Sequence, residues 1–162
     1  MKPWTERPFE IRNLFNPAFC GVLLLRAVQG YEEIDKSGLP FSLSLLILPM
    51  CLHKNTREIL SENSRSNFLK IITDNPNLLV GFAGRTTSLI PYAFEGLGLA
   101  MQHNSIKVTD DGHINLLNKG IKKQIDGTTE SIECQRVALK LGKSFATISD
   151  RITIYTTMGI RP

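Results

Sequence analysis

Apolar residues follow a helical period most clearly between residues 77 and 102. They fall on two adjacent lines of one helix face, which predicts a wide apolar stripe. Pro91 lacks a backbone N–H and is expected to break this stretch, so two helices are predicted, over residues 77–88 and 91–102. The first line is Leu78, Phe82, Leu89, Ala93 and Leu97, and the second is Leu79, Ala83, Ile90, Phe94 and Met101.

A strand pattern follows directly after these helices. Apolar and polar residues alternate over 106–108 and 113–116, on either side of Asp110-Asp111-Gly112. Glycine adopts positive φ without strain, so the segment predicts a tight turn and a β-hairpin. A helix followed by a hairpin is the local order of a winged-helix unit. We therefore predict a fold that is mainly α with one β-hairpin, a winged-helix-like domain with extra N- and C-terminal helices, and we expect residues 1–162 to form one domain.

Helices are also predicted on both sides of this unit. Asn16-Pro17 supplies an N-cap and a first-turn proline for a helix that should run to about Asp35. Leu39-Pro40 is expected to start the next helix, and residues 41–52 are so uniformly apolar that this helix should be covered on all sides, with a kink or end near Pro49. Shorter or later helices are predicted at 56–60, 68–72, 131–148 and 149–156.

The two ends of the chain differ from its middle. Residues 1–8 are polar and interrupted by prolines, which predicts an extended arm with Trp4 as its large anchor, and residues 157–162 are expected to form a tail. The first residues carry charges where a signal peptide would be apolar, so we expect a cytoplasmic protein. The longest apolar run, 39–52, is shorter than the roughly 20 residues that cross a bilayer, and no membrane partner is expected.

Motifs for catalysis and metal binding are weak. Glu32-Glu33 and Asp110-Asp111 are explained by a solvated helix end and a turn, and no GxSxG or phosphate-binding loop occurs. Three histidines lie far apart in the sequence, and three cysteines lack CxxC spacing, which favours buried reduced thiols. We therefore predict no enzyme activity, no catalytic residue, no metal site and no cofactor.

The charge pattern argues against base recognition in DNA. The net charge is only +4, and the helix predicted at 91–102 has no lysine or arginine with which to read bases. Phosphate contacts could come instead from Lys107, Lys119, Lys122 and Lys123. An apolar helix in this position indicates burial by protein, either by the rest of the chain or by a partner. A protein–protein adaptor is the preferred interpretation, and a winged-helix DNA-binding transcriptional regulator is the alternative.

Short segments along the whole chain share a further pattern. Taken in order, they resemble the middle component of three-component ABC systems. The segments are Pro3-Trp4, Arg7-Pro8, Asn13-Leu14, Asn16-Pro17-Ala18-Phe19, Leu39-Pro40-Phe41, Leu48-Pro49, Leu52-His53-Lys54, Thr56-Arg57, Arg85, Pro91-Tyr92, Ile154-Tyr155-Thr156 and Gly159-Ile160-Arg161-Pro162.

This resemblance implies a small bacterial protein encoded between an ABC ATPase, related to chromosome-maintenance and break-repair ATPases, and an effector that is often a nuclease. Such systems overlap the Lamassu type of anti-phage defence. The implied role is an accessory subunit that bridges or restrains these two partners. Non-specific DNA contact is suggested separately, by the lysines named above, and the oligomeric state is left open. No catalytic residue is carried over. The candidates for partner binding are Trp4, Arg7, His53, Lys54, Arg57, Tyr155 and Arg161.

Overall fold

The computed structural model describes residues 3–117 and 121–161. The chain is mainly helical with a small antiparallel sheet, which confirms the predicted class. Its helices are α1 Phe9–Leu14, α2 Pro17–Ile34, α3 Phe41–Ser44, α4 Ile47–Cys51, α5 Lys54–Glu62, α6 Phe68–Asp74, α7 Phe82–Gln102, α8 Thr129–Ile148 and α9 Arg151–Thr157. The strands are β1 Leu39–Pro40, β2 Ile106–Val108 and β3 His113–Leu116, and 3-10 turns lie at Trp4–Glu6 and Pro76–Leu79.

Helix α2 is the centre of the fold, and it begins as predicted. The Asn16 side chain accepts a hydrogen bond of 2.8 Å from the Ala18 N–H, and Pro17 occupies the first helical position. Most of its residues from Cys20 to Tyr31 are buried. Helices α7 and α8 pack against it and supply the largest share of its tertiary contacts.

Glycines set the distance between α2 and its two neighbours. A Cβ on Gly96 of α7 would lie 2.8 Å from the backbone nitrogen of Gly21, so these helices cross with their backbones nearly touching. The second crossing is tighter, because a Cβ on Gly142 of α8 would overlap the Ala27 carbonyl oxygen, and one on Gly30 would overlap the Leu139 carbonyl oxygen. A larger residue at either crossing would push the helices apart.

The hairpin of β2 and β3 forms at the predicted residues, with Gly112 at φ 78° in its turn. A third strand was not predicted. Leu39–Pro40 was expected to start a helix, but it pairs antiparallel with β3 and gives the order β1-β3-β2. Burial explains the difference, since Leu39 and its partner Ile114 are both fully buried. The more specific prediction of a winged helix stays a prediction.

Helix α7 corrects the expected break at Pro91. The helix is continuous from Phe82 to Gln102, with Pro91 inside it and exposed to solvent. The carbonyl group that loses its hydrogen-bond donor therefore lies on the solvent side, while Leu89 and Ala93 stay buried against the core on either side of the proline. The predicted start at residue 77 was also too early, because Gly81 at φ 67° separates α7 from the preceding 3-10 turn.

The apolar run 41–52 forms two short helices, α3 and α4, rather than one, and it is largely buried as predicted.

The helical stretch Phe9–Ile34 is long and apolar enough to cross a membrane by length and composition alone. Since α2 forms the core of this fold, the same length and composition are accounted for by packing against α7 and α8.

Candidate functional site

Arg57 is the most elaborately bonded of the predicted partner residues. Its Nη1 donates to the Cys51 carbonyl oxygen at 3.0 Å, its Nε to Glu133 at 2.8 Å and its Nη2 to Glu130 at 2.7 Å. The residue is only 3 % exposed. Arg57 therefore joins the end of α4 to the first turns of α8, and its guanidinium is already used within the chain.

Electrostatics keep this arginine charged. Burial on its own would lower the pKa of Arg57, but the hydrogen bond that Arg57 donates to Glu133 and the charge of Glu130 hold this pKa above its ordinary value. Glu130 is the exposed member of the cluster, with 71 % of its side chain accessible. An external group could thus reach Arg57 by taking the place of Glu130.

A groove of about 340 Å³ lies beside this cluster, between α1, α2 and the start of α8. Its walls are mostly apolar, and Arg57 and Cys134 lie at its buried side. Its volume falls in the range of about 300–1,000 Å³ that is typical of binding pockets. The lining residues are Asn13, Phe15, Phe19, Leu52, Arg57, Thr128, Glu130, Ser131 and Cys134.

The thiols near the groove are expected to be unreactive. Cys134 donates a hydrogen bond to the Cys51 carbonyl oxygen at 3.5 Å, and burial raises the pKa of both Cys134 and Cys51. Thiols held in the protonated form are poor nucleophiles. The burial of all three cysteines, Cys20 included, agrees with the sequence prediction. In the part of the chain that the structure describes, no group of three metal-ligating side chains comes together.

The other predicted residues of this region lie beside Arg57. The Nδ1 atom of His53 is 2.8 Å from the Thr56 hydroxyl, and burial, followed by the charges of Arg85 and Arg57, lowers the pKa of His53. Lys54 is exposed and lies 3.8 Å from Glu58. His53 is thus engaged within the fold, whereas Lys54 is accessible.

The terminal candidates are attached to the body at two places. Arg7 forms a bidentate pair with Glu95 of α7, at 2.7 and 2.5 Å, which fastens the N-terminal arm. The Tyr155 hydroxyl donates to the Ser42 carbonyl oxygen at 2.7 Å and joins α9 to α3. Arg161 is exposed, and the side chain of Trp4 lies outside the described residues. Contact of these residues with a partner stays a prediction.

Lys107, Lys122 and Lys123, the predicted phosphate contacts, are exposed, while Lys119 lies outside the described residues. No role was predicted for Arg26, which binds the backbone of the segment that carries Lys122. Arg26 is 3 % exposed and donates to the carbonyl oxygens of Lys122 at 2.6 Å and Gln124 at 2.9 Å. The available signal was a lone charge within the apolar stretch 22–28.

The two apolar lines of α7 have different environments. The first line, which includes Phe82, Leu89 and Leu97, is buried as predicted. In the second line, Phe94 is 50 % exposed and Met101 is 47 % exposed, although the Phe94 ring lies 5.8 Å from that of Phe41. Of the two kinds of burial predicted for this helix, burial by the rest of the chain therefore applies to the first line, and burial of Phe94 and Met101 by a partner stays a prediction.

Comparison with known proteins identifies a family for this chain. Residues 4–162 match the family model described as ABC-three component (ABC-3C) system Middle Component 3. No curated protein and no solved structure matches the chain. Because the match spans nearly the whole sequence, the chain belongs to the Middle Component 3 family and is a component of a three-component ABC conflict system.

Proposed function

We propose that this chain is a cytoplasmic, non-catalytic adaptor that bridges or restrains an ABC ATPase of the chromosome-maintenance type and an effector. The groove beside Arg57 is the observation that carries the proposal. It combines apolar walls from Phe15, Phe19 and Leu52 with one buried cation. Aromatic residues and arginine are the side chains most enriched where protein partners bind tightly.

The same groove is poorly suited to catalysis. Burial keeps Cys134 protonated, and Arg57 is held by Glu130 and Glu133 rather than by a group that could exchange protons near neutral pH. Among the described residues that line the groove there is no histidine. These features support a role in binding, in which an apolar side chain of a partner enters the groove and an acidic group approaches Arg57.

Asn13 provides a direct test, because it is exposed and lies at the edge of the groove. The chain should be co-expressed with the ABC ATPase and the effector encoded beside it, and then isolated through an affinity tag. We expect wild-type protein to retrieve at least one of them. Asn13→Trp, which fills the groove, should reduce retrieval by at least about tenfold.

Asn77→Trp is the matched control, since Asn77 is also exposed but lies on the 3-10 turn before α7. This variant should retrieve the partners as well as wild type does. If wild-type chain co-purifies with neither component, the adaptor proposal is wrong. If Asn13→Trp binds normally, the adaptor uses another surface, such as one that contains Lys54 or Arg161.

DNA binding is the second candidate function, and the lysine segment is the observation that favours it. Lys122 and Lys123 are exposed, and Arg26 holds their segment by donating to the carbonyl oxygens of Lys122 and Gln124. We expect weak, salt-sensitive binding of duplex DNA that is lost when Lys107, Lys122 and Lys123 are changed together to glutamate. Fluorescence anisotropy at two salt concentrations measures this. Binding that survives the change would place the contact elsewhere.

A further inference from the structure

Basic side chains gather on one face of the protein, on both sides of Leu139 in α8. Two pockets meet at Leu139: one of about 450 Å³ lies between the end of α5 and α8, and one of about 840 Å³ lies between α8, the end of α2 and the segment after the hairpin. Six cationic side chains from the described part of the chain line these pockets, and we call this surface the α8 basic face. Its cations are Lys36, Lys122, Lys123, Arg136, Lys140 and Lys143.

The α8 basic face carries the whole net charge of the protein. Among the described residues, two carboxylates, Glu32 and Glu33, line the same pockets, which leaves an excess of four positive charges. The chain as a whole has 19 cationic and 15 acidic residues and the same net charge of +4. The other 13 cations and 13 carboxylates therefore balance one another.

Most cations of the face have no acidic partner. Lys143 pairs with Glu33 at 2.5 Å, and Glu32 accepts a hydrogen bond from the Leu116 N–H at 3.0 Å, so both carboxylates are already engaged. Among the described residues, no carboxylate oxygen lies within 4.0 Å of the other five cationic groups. Arg57, by contrast, contacts two glutamates. The charge of the α8 basic face is thus open to an external anion.

Helix stability does not account for the cations of α8. Lys140 donates to the Leu60 and Asn63 carbonyl oxygens at 3.1 and 2.6 Å, and so joins α8 to the end of α5. Arg136, one turn earlier, is exposed. The helix dipole would favour cations in the last turn of α8, but that turn contains none. The position of Arg136 therefore points to a contact outside the chain.

The side chains of the face fit the phosphate backbone of duplex DNA. Ser61 and Ser64 border the smaller pocket beside Arg136, and hydroxyl groups together with cations are the usual donors to phosphate oxygens. Arg136 and Lys143 lie about 10 Å apart along the helix, at about 1.5 Å per residue, which matches about three nucleotides of one strand. No aromatic side chain of the described residues lines either pocket, whereas proteins that bind single strands stack the bases on aromatic rings.

We infer that the α8 basic face binds the phosphate backbone of duplex DNA without sequence preference, with Arg136 and Lys143 on one side of Leu139 and Lys122 and Lys123 on the other. The inference rests on DNA binding, the second candidate function, and it names residues of α8 as contacts. It does not depend on the adaptor role or on the groove beside Arg57.

Fluorescence anisotropy of the full chain with a labelled duplex tests the contact. Arg136→Glu should raise the dissociation constant at low salt by at least about tenfold, and Arg136→Ala should reduce the slope of log Kd against log salt concentration by about 0.9, the value for one phosphate contact. Lys54→Glu is the matched control, because Lys54 is exposed near Glu58 in the acidic pocket on the other side of Arg136. The same change of charge there should alter the dissociation constant by less than about twofold.

The outcomes separate this inference from the function on which it rests. If the wild-type chain does not bind duplex DNA, both are wrong. If the wild-type chain binds and Arg136→Glu weakens binding no more than Lys54→Glu does, DNA binding stands and the α8 basic face is not its site. Displacement of the duplex by polyglutamate at equal charge concentration would indicate an acidic protein as the ligand and would overturn the inference.

Photo-cross-linking tests the geometry without removing a cation. Ser64→Cys, modified with a photoreactive maleimide, should become joined to the duplex, because Ser64 borders the pocket beside Arg136. Asn77→Cys, which is exposed on the 3-10 turn before α7, should not. The native thiols are buried and should not react with the maleimide. Equal cross-linking at the two positions, or none at Ser64→Cys, would overturn the inference.

Discussion

The glycines at the α2–α8 crossing and those on the outer side of α7 occupy opposite situations. Gly30 and Gly142 lie where a single added carbon would overlap a backbone carbonyl of the neighbouring helix. Gly84 and Gly98 have no atom near the same position. The first pair is required by packing that is present in the monomer. Gly84 and Gly98 reduce helix stability, and no close packing against the rest of the chain requires them.

The largest expected effect is at the inner crossing. Gly142→Ala places a Cβ against the Ala27 carbonyl oxygen and the Tyr31 nitrogen, and backbone atoms cannot rotate away as a flexible side chain would. We expect the free energy of unfolding to fall by about 3 kcal/mol or more. Urea denaturation followed by circular dichroism measures this change. A loss below about 1 kcal/mol would show that α8 can move away from α2 at little cost and that the crossing does not require glycine.

An effect of opposite sign is expected on the outer side. Gly84→Ala and Gly98→Ala should each raise the free energy of unfolding by about 0.5–1 kcal/mol, because an added Cβ meets no atom within 4 Å and alanine is the better helix former. Urea denaturation followed by circular dichroism measures this change. Destabilisation by either variant would mean that the glycine has a packing role within the chain.

The smallest expected effect concerns the N-terminal arm, where Arg7 contacts Glu95 of α7. The hydrogen bond from Arg7 lowers the pKa of Glu95, so the folded state prefers the charged carboxylate. A depressed pKa gives stability that is present above the ordinary glutamate pKa, near 4.5, and is lost as the pH falls through the lower folded value. The protection factors of the Thr5, Glu6 and Arg7 amides, which allow for the intrinsic slowing of exchange in acid, should therefore fall as the pH drops below the ordinary glutamate range. In Glu95→Gln this acid-dependent step should disappear.

The parts of the fold that were predicted correctly are those with local causes. The α2 start at Asn16 and the hairpin turn at Gly112 each depend on residues within a few positions. Strand β1 has no such signal, because its two residues are extended only by pairing with β3. The helix break predicted at Pro91 was likewise wrong, because long-range packing of α7 outweighs the local cost of one lost hydrogen bond.

The candidate surfaces show the same division. Arg57 lies in a segment that looks polar and accessible, and its burial follows from Cys51, Glu130 and Glu133, of which the glutamates are distant in sequence. The groove that it lines is assembled from α1, α2 and α8 and could not be recognised from any one of them. Phe94 and Met101, by contrast, belong to a helical period that is visible in the sequence, and only their exposure had to come from the structure.

The position of α8 in the chain has a consequence for synthesis on the ribosome. Helix α2, which belongs to the stretch Phe9–Ile34 with the length and hydropathy of a membrane span, is synthesised well before α8, which covers one of its sides through the Gly30–Gly142 crossing. The nascent chain therefore leaves this apolar helix without one of its packing partners until α8 has been made. Chaperones and membrane-targeting factors would meet that segment before the domain can close over it.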